Sequence, residues 1–266
     1  MSNSTIKTCI VFYFCLAFAF LPVLSQVLSQ ALSQDPLQLS TETEDISLTD
    51  DLNVARAQVG KYPEDPEAHF NLAIALTRTS LIEEAIKELR KTKLLLRKDE
   101  NKGLVDRKIK EYKEIINVAS DPASVNNVRY RLAFCHYLKA YLLSKKLKKK
   151  EEDKSSKKNL LEQQQLTLTN KDPAIKENLD SSVNNFKELL SINPNDVWAK
   201  IYYGFILAEQ FDETNKATEL WIEASKLDPN NPAPHFFLGE LHIKDGNLKD
   251  GLKEISQAIL LRSLGY

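Results

Sequence analysis

Glycine and cysteine are both scarce, and each shortage excludes a class of structure. Glycine occurs 7 times in 266 residues, and Val, Ile and Thr do not gather into alternating runs, so the sequence does not indicate a β-sheet protein. Of the 3 cysteines, Cys9 and Cys15 lie in an apolar N-terminal run and only Cys135 lies in the body. A body with one cysteine holds neither an intramolecular disulfide nor a zinc site built on cysteine pairs.

The chain also lacks an excess of charge of either sign. It has 36 Lys and Arg against 37 Asp and Glu, a formal net charge of −1, which gives no support for nucleic-acid binding. Leu, Lys, Ala and Glu are abundant, and these residues favour helices. We therefore expect an all-α protein without a nucleic-acid partner.

An apolar run of 16 residues without a charge, Cys9–Leu24, lies close to the N-terminus. A membrane-spanning helix needs roughly 20 such residues, and secretory signals need fewer. The stretch VLSQVLSQALSQ follows and places a small or β-branched residue two positions before Ser25, Ser29 and Ser33. Signal peptidase requires small side chains at this spacing because its pockets are shallow.

Residues 1–33 are therefore predicted to be a cleaved signal peptide or an uncleaved membrane anchor, and a buried core helix is a third interpretation. The first two predict a body that is exported to a periplasm, lumen or extracellular space, or that is anchored to a membrane by its N-terminus. Residues 34–47 are predicted to form an acidic linker.

The C-terminal half of the chain repeats itself with a period of 34 to 35 residues. Pro194 and Pro229 are 35 residues apart, as are Gly204 and Gly239. Three further pairs are 34 residues apart: Ala217 and Gly251, Trp221 and Ile255, Ala224 and Ala258.

This period, with these residue types, resembles the tetratricopeptide repeat, a helix–turn–helix unit. The resemblance implies an all-α fold, a right-handed α-solenoid of about four units, in which the first helix of each unit lines an inner groove. A generic helical bundle, the rival interpretation, would not repeat Pro, Gly and Ala at this period. Small residues are expected where the two helices of a unit cross: Ala73, Ala85, Ala133, Ser182, Gly204, Ala217, Gly239 and Gly251.

The resemblance divides the body into units and intervening segments. A capping helix or half-repeat (48–65) precedes the first unit, and an amphipathic helix (98–124) separates it from the second. The second unit contains a lysine-rich insertion (144–174), whose eight lysines between Lys145 and Lys158 predict either contact with anionic lipid or an acidic partner, or a solvated extension of a helix. The four units are predicted at 66–97, 125–194, 195–230 and 231–263.

Ten residues are predicted to face the inner groove. Most are apolar or aromatic, which is typical of a surface that binds a protein or peptide. The alternative is that narrow curvature, the N-terminal helix or the insertion buries them. The ten residues are Phe70, Ile74, Tyr130, Phe134, Tyr137, Trp198, Ile201, Phe205, Phe236 and Glu240.

The sequence offers no pattern for catalysis, for a metal or for a cofactor. It has no Gly-rich phosphate loop and no nucleophile turn, and His69 and His235 recur at one repeat position, which is typical of packing residues. We therefore predict a non-catalytic scaffold or adaptor that binds a protein, exported or membrane-tethered. A narrower version, an assembly factor for a membrane complex, rests on analogy with other tetratricopeptide proteins.

A second hypothesis is a structural protein that associates with itself. No polar helix follows the last unit in this sequence, and such arrays usually need one. Leu252, Ile255 and Ile259 would then lie on an exposed end, so a homodimer is the alternative prediction.

Overall fold

The computed structural model describes residues 45–152 and 172–265, and it contains only helices and turns over these ranges. Ten α-helices lie in this part of the chain. They are α1 Asp45–Lys61, α2 Pro66–Leu76, α3 Ile82–Leu95, α4 Leu104–Val118, α5 Pro122–Glu152, α6 Pro173–Ile192, α7 Val197–Ile206, α8 Thr214–Leu227, α9 Pro232–Lys244 and α10 Leu248–Ser263. The all-α prediction is confirmed.

Consecutive helices pair into four hairpins, α2 with α3, α5 with α6, α7 with α8 and α9 with α10. Each hairpin packs on the next, so the architecture is the predicted α-solenoid of four units. A short 3₁₀ turn and α4 stand between the first hairpin and the second, where an amphipathic helix is predicted. Val105 and Tyr112 of α4 are buried in the main core.

Side-chain caps explain where several first helices begin. The Asp65 carboxylate accepts a hydrogen bond from the backbone N–H of Glu67 at 3.0 Å, and the Asn231 side chain accepts one from Ala233 at 3.0 Å. Both caps satisfy N–H groups that lack a partner in the first turn, and Pro66 follows the first of them. Asp172 and Asp196 cap α6 and α7 in the same way.

The helix α1 packs against the first hairpin. Its Ala55 joins a buried cluster with Leu72, Leu76 and Ala85. The Arg56 guanidinium also donates to the Glu84 carboxylate at 3.1 Å. This helix therefore covers apolar surface of the first unit in the region where a capping helix is predicted.

Part of the insertion lengthens the two helices of the second unit. The helix α5 extends to Glu152, and α6 begins at Pro173. Ile175 and Leu179 of α6 are buried against Ala140 of α5, so the lengthened hairpin has its own small core.

Other predicted segments lie outside the described residues. These are the signal or anchor at 1–33, most of the acidic linker, and residues 153–171 of the insertion. None of the helices in the described ranges is long and apolar enough to cross a membrane.

Candidate functional site on the inner face

Seven of the ten predicted groove residues are buried. Their exposure is 7% or less, so they offer no surface to a ligand in this conformation. Trp198, Phe205 and Glu240 are the exceptions, since each is only half-buried. The seven buried residues are Phe70, Ile74, Tyr130, Phe134, Tyr137, Ile201 and Phe236.

Close packing of the first helices explains this burial. The ring of Phe134 in α5 lies 5.4 Å from that of Tyr202 in α7, and Tyr130 lies 6.2 Å from the same ring. Both contacts are edge-to-face, an arrangement that aromatic pairs favour. Narrow curvature, the alternative that the sequence left open, therefore describes this part of the groove better than an open apolar surface.

Three polar side chains from three units meet on this face. The Tyr137 hydroxyl, from the second unit, donates to Glu209 Oε2 at 2.5 Å. The Lys93 ammonium, from the first unit, hydrogen-bonds to the same hydroxyl and lies 3.8 Å from Glu209 Oε1. The ammonium also lies 4.5 Å from the centroid of the Tyr137 ring, within range of a cation–π contact.

Glu209 reaches this position from an irregular turn. Residues Leu207–Phe211 form one π-helical turn after α7, which ends at Asp212 with a left-handed φ of 57°. A π turn takes up one extra residue, and the third unit carries one extra residue in its inner turn. Lys93 and Glu209 themselves were not predicted from the sequence.

Phe205 and Glu240 complete the site. The Phe205 ring lies 5.9 Å from that of Tyr137 and 5.6 Å from that of Phe237. Glu240 comes from α9 in the fourth unit, and its carboxylate interacts electrostatically with Glu209. We call Lys93, Tyr137, Phe205, Glu209 and Glu240 the inner-face cluster.

The environment of Glu240 favours its neutral form. The pKa of this carboxyl is raised from 4.5 to about 7, chiefly by burial, with Glu209 and Glu83 adding to the effect and Arg90 opposing it. Glu83 and Arg90 belong to α3 of the first unit, so the last unit faces the first across the inner side of the array. Near neutral pH this carboxyl therefore exchanges a proton readily.

Burial also shifts the pKa values of Lys93 and Tyr137. Burial lowers the pKa of Lys93, and the neighbouring Glu209 partly restores it. Burial raises the pKa of Tyr137 well above its usual value, and the Glu209 charge adds to the effect. Tyr137 therefore remains a hydroxyl that donates a hydrogen bond at every physiological pH.

Histidine and cysteine serve packing within the hairpins. His69 Nδ1 lies 2.5 Å from Glu88 Oε2, and the equivalent pair, His235 and Glu254, is 2.7 Å apart. Burial raises the pKa of the Cys135 thiol to about 12, which makes it a poor nucleophile. Residues 45–152 and 172–265 contain no group of three His, Cys, Asp or Glu side chains arranged to hold a metal ion.

The lysines at the end of α5 are exposed where the structure describes them. Lys145, Lys146 and Lys149 all face solvent, and the Lys145 ammonium lies 5.7 Å from the ring centroid of Tyr141. This is a basic helix end beside the inner face, and contact with an acidic partner or with lipid remains a prediction.

Small residues lie where the two helices of a unit cross. A Cβ added to Gly204 would lie 2.7 Å from Trp221 Nε1, and one added to Gly251 would lie 2.5 Å from Ile243 Cγ1. The Trp221 indole also donates to the Ile201 carbonyl at 2.9 Å across the same crossing. The repeats are helix–turn–helix units with small residues at the crossings, as the resemblance to the tetratricopeptide repeat implies. The remaining predicted small residues are buried at or close to the crossings, and the Ser182 hydroxyl donates to the Ala133 carbonyl at 2.7 Å.

Comparisons with solved structures find tetratricopeptide proteins at low similarity. The crystal structure of MamA is 10% identical, with 86% of this chain and 98% of that chain covered and a TM-score of 0.36. The structure of YrrB, described as a tetratricopeptide protein with an unusual peptide-binding site, is 14% identical, with coverages of 80% and 94% and a TM-score of 0.31. Yeast Tom70 is 17% identical over 83% of this chain and 41% of its own, with a TM-score of 0.32.

No family model and no curated protein matches the sequence. Structural scores of this size do not extend the assignment beyond the helix packing described above.

Proposed function

We propose that this tetratricopeptide array is a non-catalytic scaffold that binds a protein segment at the inner-face cluster. The observation that carries the proposal is that side chains of all four units form one cluster, in which Tyr137 is buried and Lys93, Phe205, Glu209 and Glu240 keep part of their surface exposed. Lys93 comes from the first unit, Tyr137 from the second, Phe205 and Glu209 from the third, and Glu240 from the fourth. The Glu209 side chain keeps 37% of its surface exposed.

The chemistry of the cluster suits a basic side chain that approaches an aromatic ring. Glu209 and Glu240 supply two carboxyl groups, and the half-buried Phe205 ring packs against the Tyr137 ring, whose hydroxyl contacts Glu209. A cation bound there would favour the ionised form of Glu240, whose pKa is about 7 in the free protein. Binding would therefore release a proton near neutral pH.

Photo-crosslinking in the full chain tests this proposal. Arg90 is exposed on α3 and faces the cluster, so a photoreactive phenylalanine at position 90 should capture a discrete polypeptide. The matched control is position 222, where Ile222 is 39% exposed on α8. The crosslink should weaken in the double variant Glu209→Gln/Glu240→Gln. Identical products from positions 90 and 222 would refute the site.

The proposal places the array outside the compartment of synthesis or on a membrane. Its support is the apolar run at Cys9–Leu24 and the three small-residue pairs that follow it. Mass spectrometry of the mature N-terminus separates the two versions. A chain that begins at or near Gln34 is exported after cleavage, whereas an intact N-terminus on carbonate-resistant membrane protein is an anchor. An intact chain in the soluble fraction contradicts both.

The narrowest version of the proposal is an assembly factor for a membrane complex. It is supported by the combination of a scaffold with one apolar N-terminal segment. Deletion of the protein should then leave the subunits of one complex synthesised but unassembled on native gels. Normal assembly of every membrane complex in the deletion strain would remove this version and leave the general scaffold intact.

A further inference from the structure

One face of α3 meets the third and the fourth unit through charged side chains. Its Lys93 ammonium lies 3.8 Å from Glu209 Oε1, in the turn that follows α7. The charge of its Arg90 acts through space on the Glu240 carboxyl of α9. Arg90 and Lys93 are three residues apart, so they project from the same side of the helix. A helix of the first unit therefore presents two cations to the two carboxyl groups of the proposed binding site.

The buried face of α3 points in another direction. Its members are spaced by three or four residues and pack into the hydrophobic cores, whereas Arg90 is exposed on a different side of the helix. The Glu83–Arg262 pair completes the contact with α10, and its side chains are 40% and 41% exposed. Exposed ion pairs contribute little free energy, and salt weakens them further. The buried residues of α3 are Ile82, Ala85, Leu89, Thr92 and Leu95.

The two carboxyl groups are incompletely satisfied by α3. Glu209 keeps 37% of its side chain exposed, although it contacts both Lys93 and the Tyr137 hydroxyl. Glu240 is half-buried, and the cation that acts on it, Arg90, does so only through space. A basic side chain that reached both carboxyl groups directly would form charge-assisted hydrogen bonds, which are the stronger kind. A ligand of this chemistry would therefore bind the site better than α3 does.

We infer that α3 is an internal occupant of the partner site, and that the partner is an amphipathic helix with two basic residues spaced three apart, as Arg90 and Lys93 are. The inference rests on the proposed function, because it names the kind of segment that binds at Glu209 and Glu240. The partner helix takes the place of the charged face of α3, and the first unit moves away from the last. Only the open form accepts the partner, so the closed fraction of the chain lowers the apparent affinity.

Binding of a labelled α3 peptide to the full chain tests the inference. The probe is residues 80–98 with blocked termini, and fluorescence anisotropy in one mild detergent measures its affinity. In the protein, Arg90→Gln/Lys93→Gln removes the charges of the internal occupant. The peptide should therefore bind this variant about fivefold more tightly than the wild type, because more of the protein is open. A folding defect would have the opposite sign.

The matched control in the protein is Lys91→Gln/Lys98→Gln. It removes the same charge from two side chains that pair with Glu64, so it should bind the peptide as the wild type does. A second opening variant, Arg262→Glu, breaks the exposed pair on α10 and should also tighten binding. The two sets of variants separate the release of α3 from a general change in charge.

The acceptor carboxyls and the peptide provide the opposite result. In the Arg90→Gln/Lys93→Gln protein, the added change Glu209→Gln/Glu240→Gln should weaken peptide binding about tenfold. A peptide that itself carries Arg90→Gln/Lys93→Gln should bind poorly, whereas a peptide with Lys91→Gln/Lys98→Gln should bind well. The two peptides have equal charge, so non-specific attraction predicts no difference between them.

The inference is overturned if the opened variants bind the wild-type peptide no better than the wild-type protein does, or if the two altered peptides bind equally. The photo-crosslink at position 90 reports separately on the scaffold proposal. A crosslink that persists without peptide binding overturns the inference and leaves the scaffold proposal standing. Peptide binding of the expected pattern without any crosslink supports α3 as the occupant and counts against the scaffold proposal.

Discussion

The Arg262 guanidinium, in the last unit, hydrogen-bonds to the Glu83 carboxylate in the first unit across 179 residues of sequence. The two side chains are 41% and 40% exposed. This contact brings α10 next to α3, so the two ends of the array meet on one side. It also explains why Glu240 of α9 interacts with Glu83 and Arg90 of α3.

Reversing one charge of this pair should separate the end units. Arg262→Glu places two carboxylates together, so small-angle X-ray scattering at low salt should show a larger radius of gyration than for the wild type. The loss in unfolding free energy should stay below about 1 kcal/mol because the pair is exposed. The double variant Arg262→Glu/Glu83→Arg should restore the compact form. The control Lys176→Glu disrupts a pair within α6 and should not change the dimensions.

Glu240 should make the stability of the fold depend on pH. Its pKa is raised to about 7 in the folded protein from 4.5, so the folded state holds the proton more tightly. The contribution of Glu240 to the unfolding free energy is therefore greatest below about pH 4.5, and it is lost as the pH rises towards 7. Glu240→Gln should remove a loss on the order of 2 kcal/mol and should be more stable than the wild type at pH 8.

Chemical denaturation at pH 5 and pH 8 measures this effect. The matched control is Glu219→Gln, which removes the same charge from an exposed position on α8. If the stability of both variants depends on pH in the same way, the interior environment of Glu240 does not cause the pH dependence of the wild type.

Gly251 should not tolerate a side chain. A Cβ there would lie 2.5 Å from Ile243 Cγ1 and 3.0 Å from the Ile243 nitrogen, so α9 and α10 would have to separate. Gly251→Ala should cost about 1–3 kcal/mol of unfolding free energy. Gly60→Ala is the control, and it should have the opposite effect on stability. Nothing lies within 4 Å of that Cβ, so it should stabilise α1 by about 0.5 kcal/mol. Equal effects in thermal denaturation would contradict the close crossing.

Tyr137 and Lys93 should be energetically coupled. Tyr137→Phe removes the hydroxyl between Lys93 and Glu209, and it should cost about 1–2 kcal/mol because both charged groups lose a partner. In the double variant Lys93→Met/Tyr137→Phe, the Tyr137→Phe change should cost less unfolding free energy than it does in the wild type. Strict additivity in urea denaturation would show that the two do not interact. The control Tyr62→Phe, at a half-exposed ring, should change little.

Much of the fold could be predicted from the sequence because repeats leave local marks. Small residues recur where helices cross, and Asp or Asn precedes several first helices. Each of these features depends on contacts within one hairpin, which a period of 34 to 35 residues makes visible.

The candidate site was predicted only in part. Tyr137, Phe205 and Glu240 were assigned to the inner groove by repeat position, and their part in binding a ligand stays a prediction. Lys93 was not predicted because it lies on the second helix of its unit. How close such a helix comes to the inner face depends on how tightly the units curve. The burial of Tyr130 and Phe134 depends on the same curvature.

The sequence by itself determined the repeat, its register and the residues at each crossing, because these are set by packing between neighbouring segments. The tertiary structure alone decided which inner-face residues are buried and that Glu209, Lys93 and Tyr137 meet. It also decided that Arg262 closes onto Glu83. Small rotations between successive units add up along the array, so contacts between distant units follow from their sum and not from any single motif.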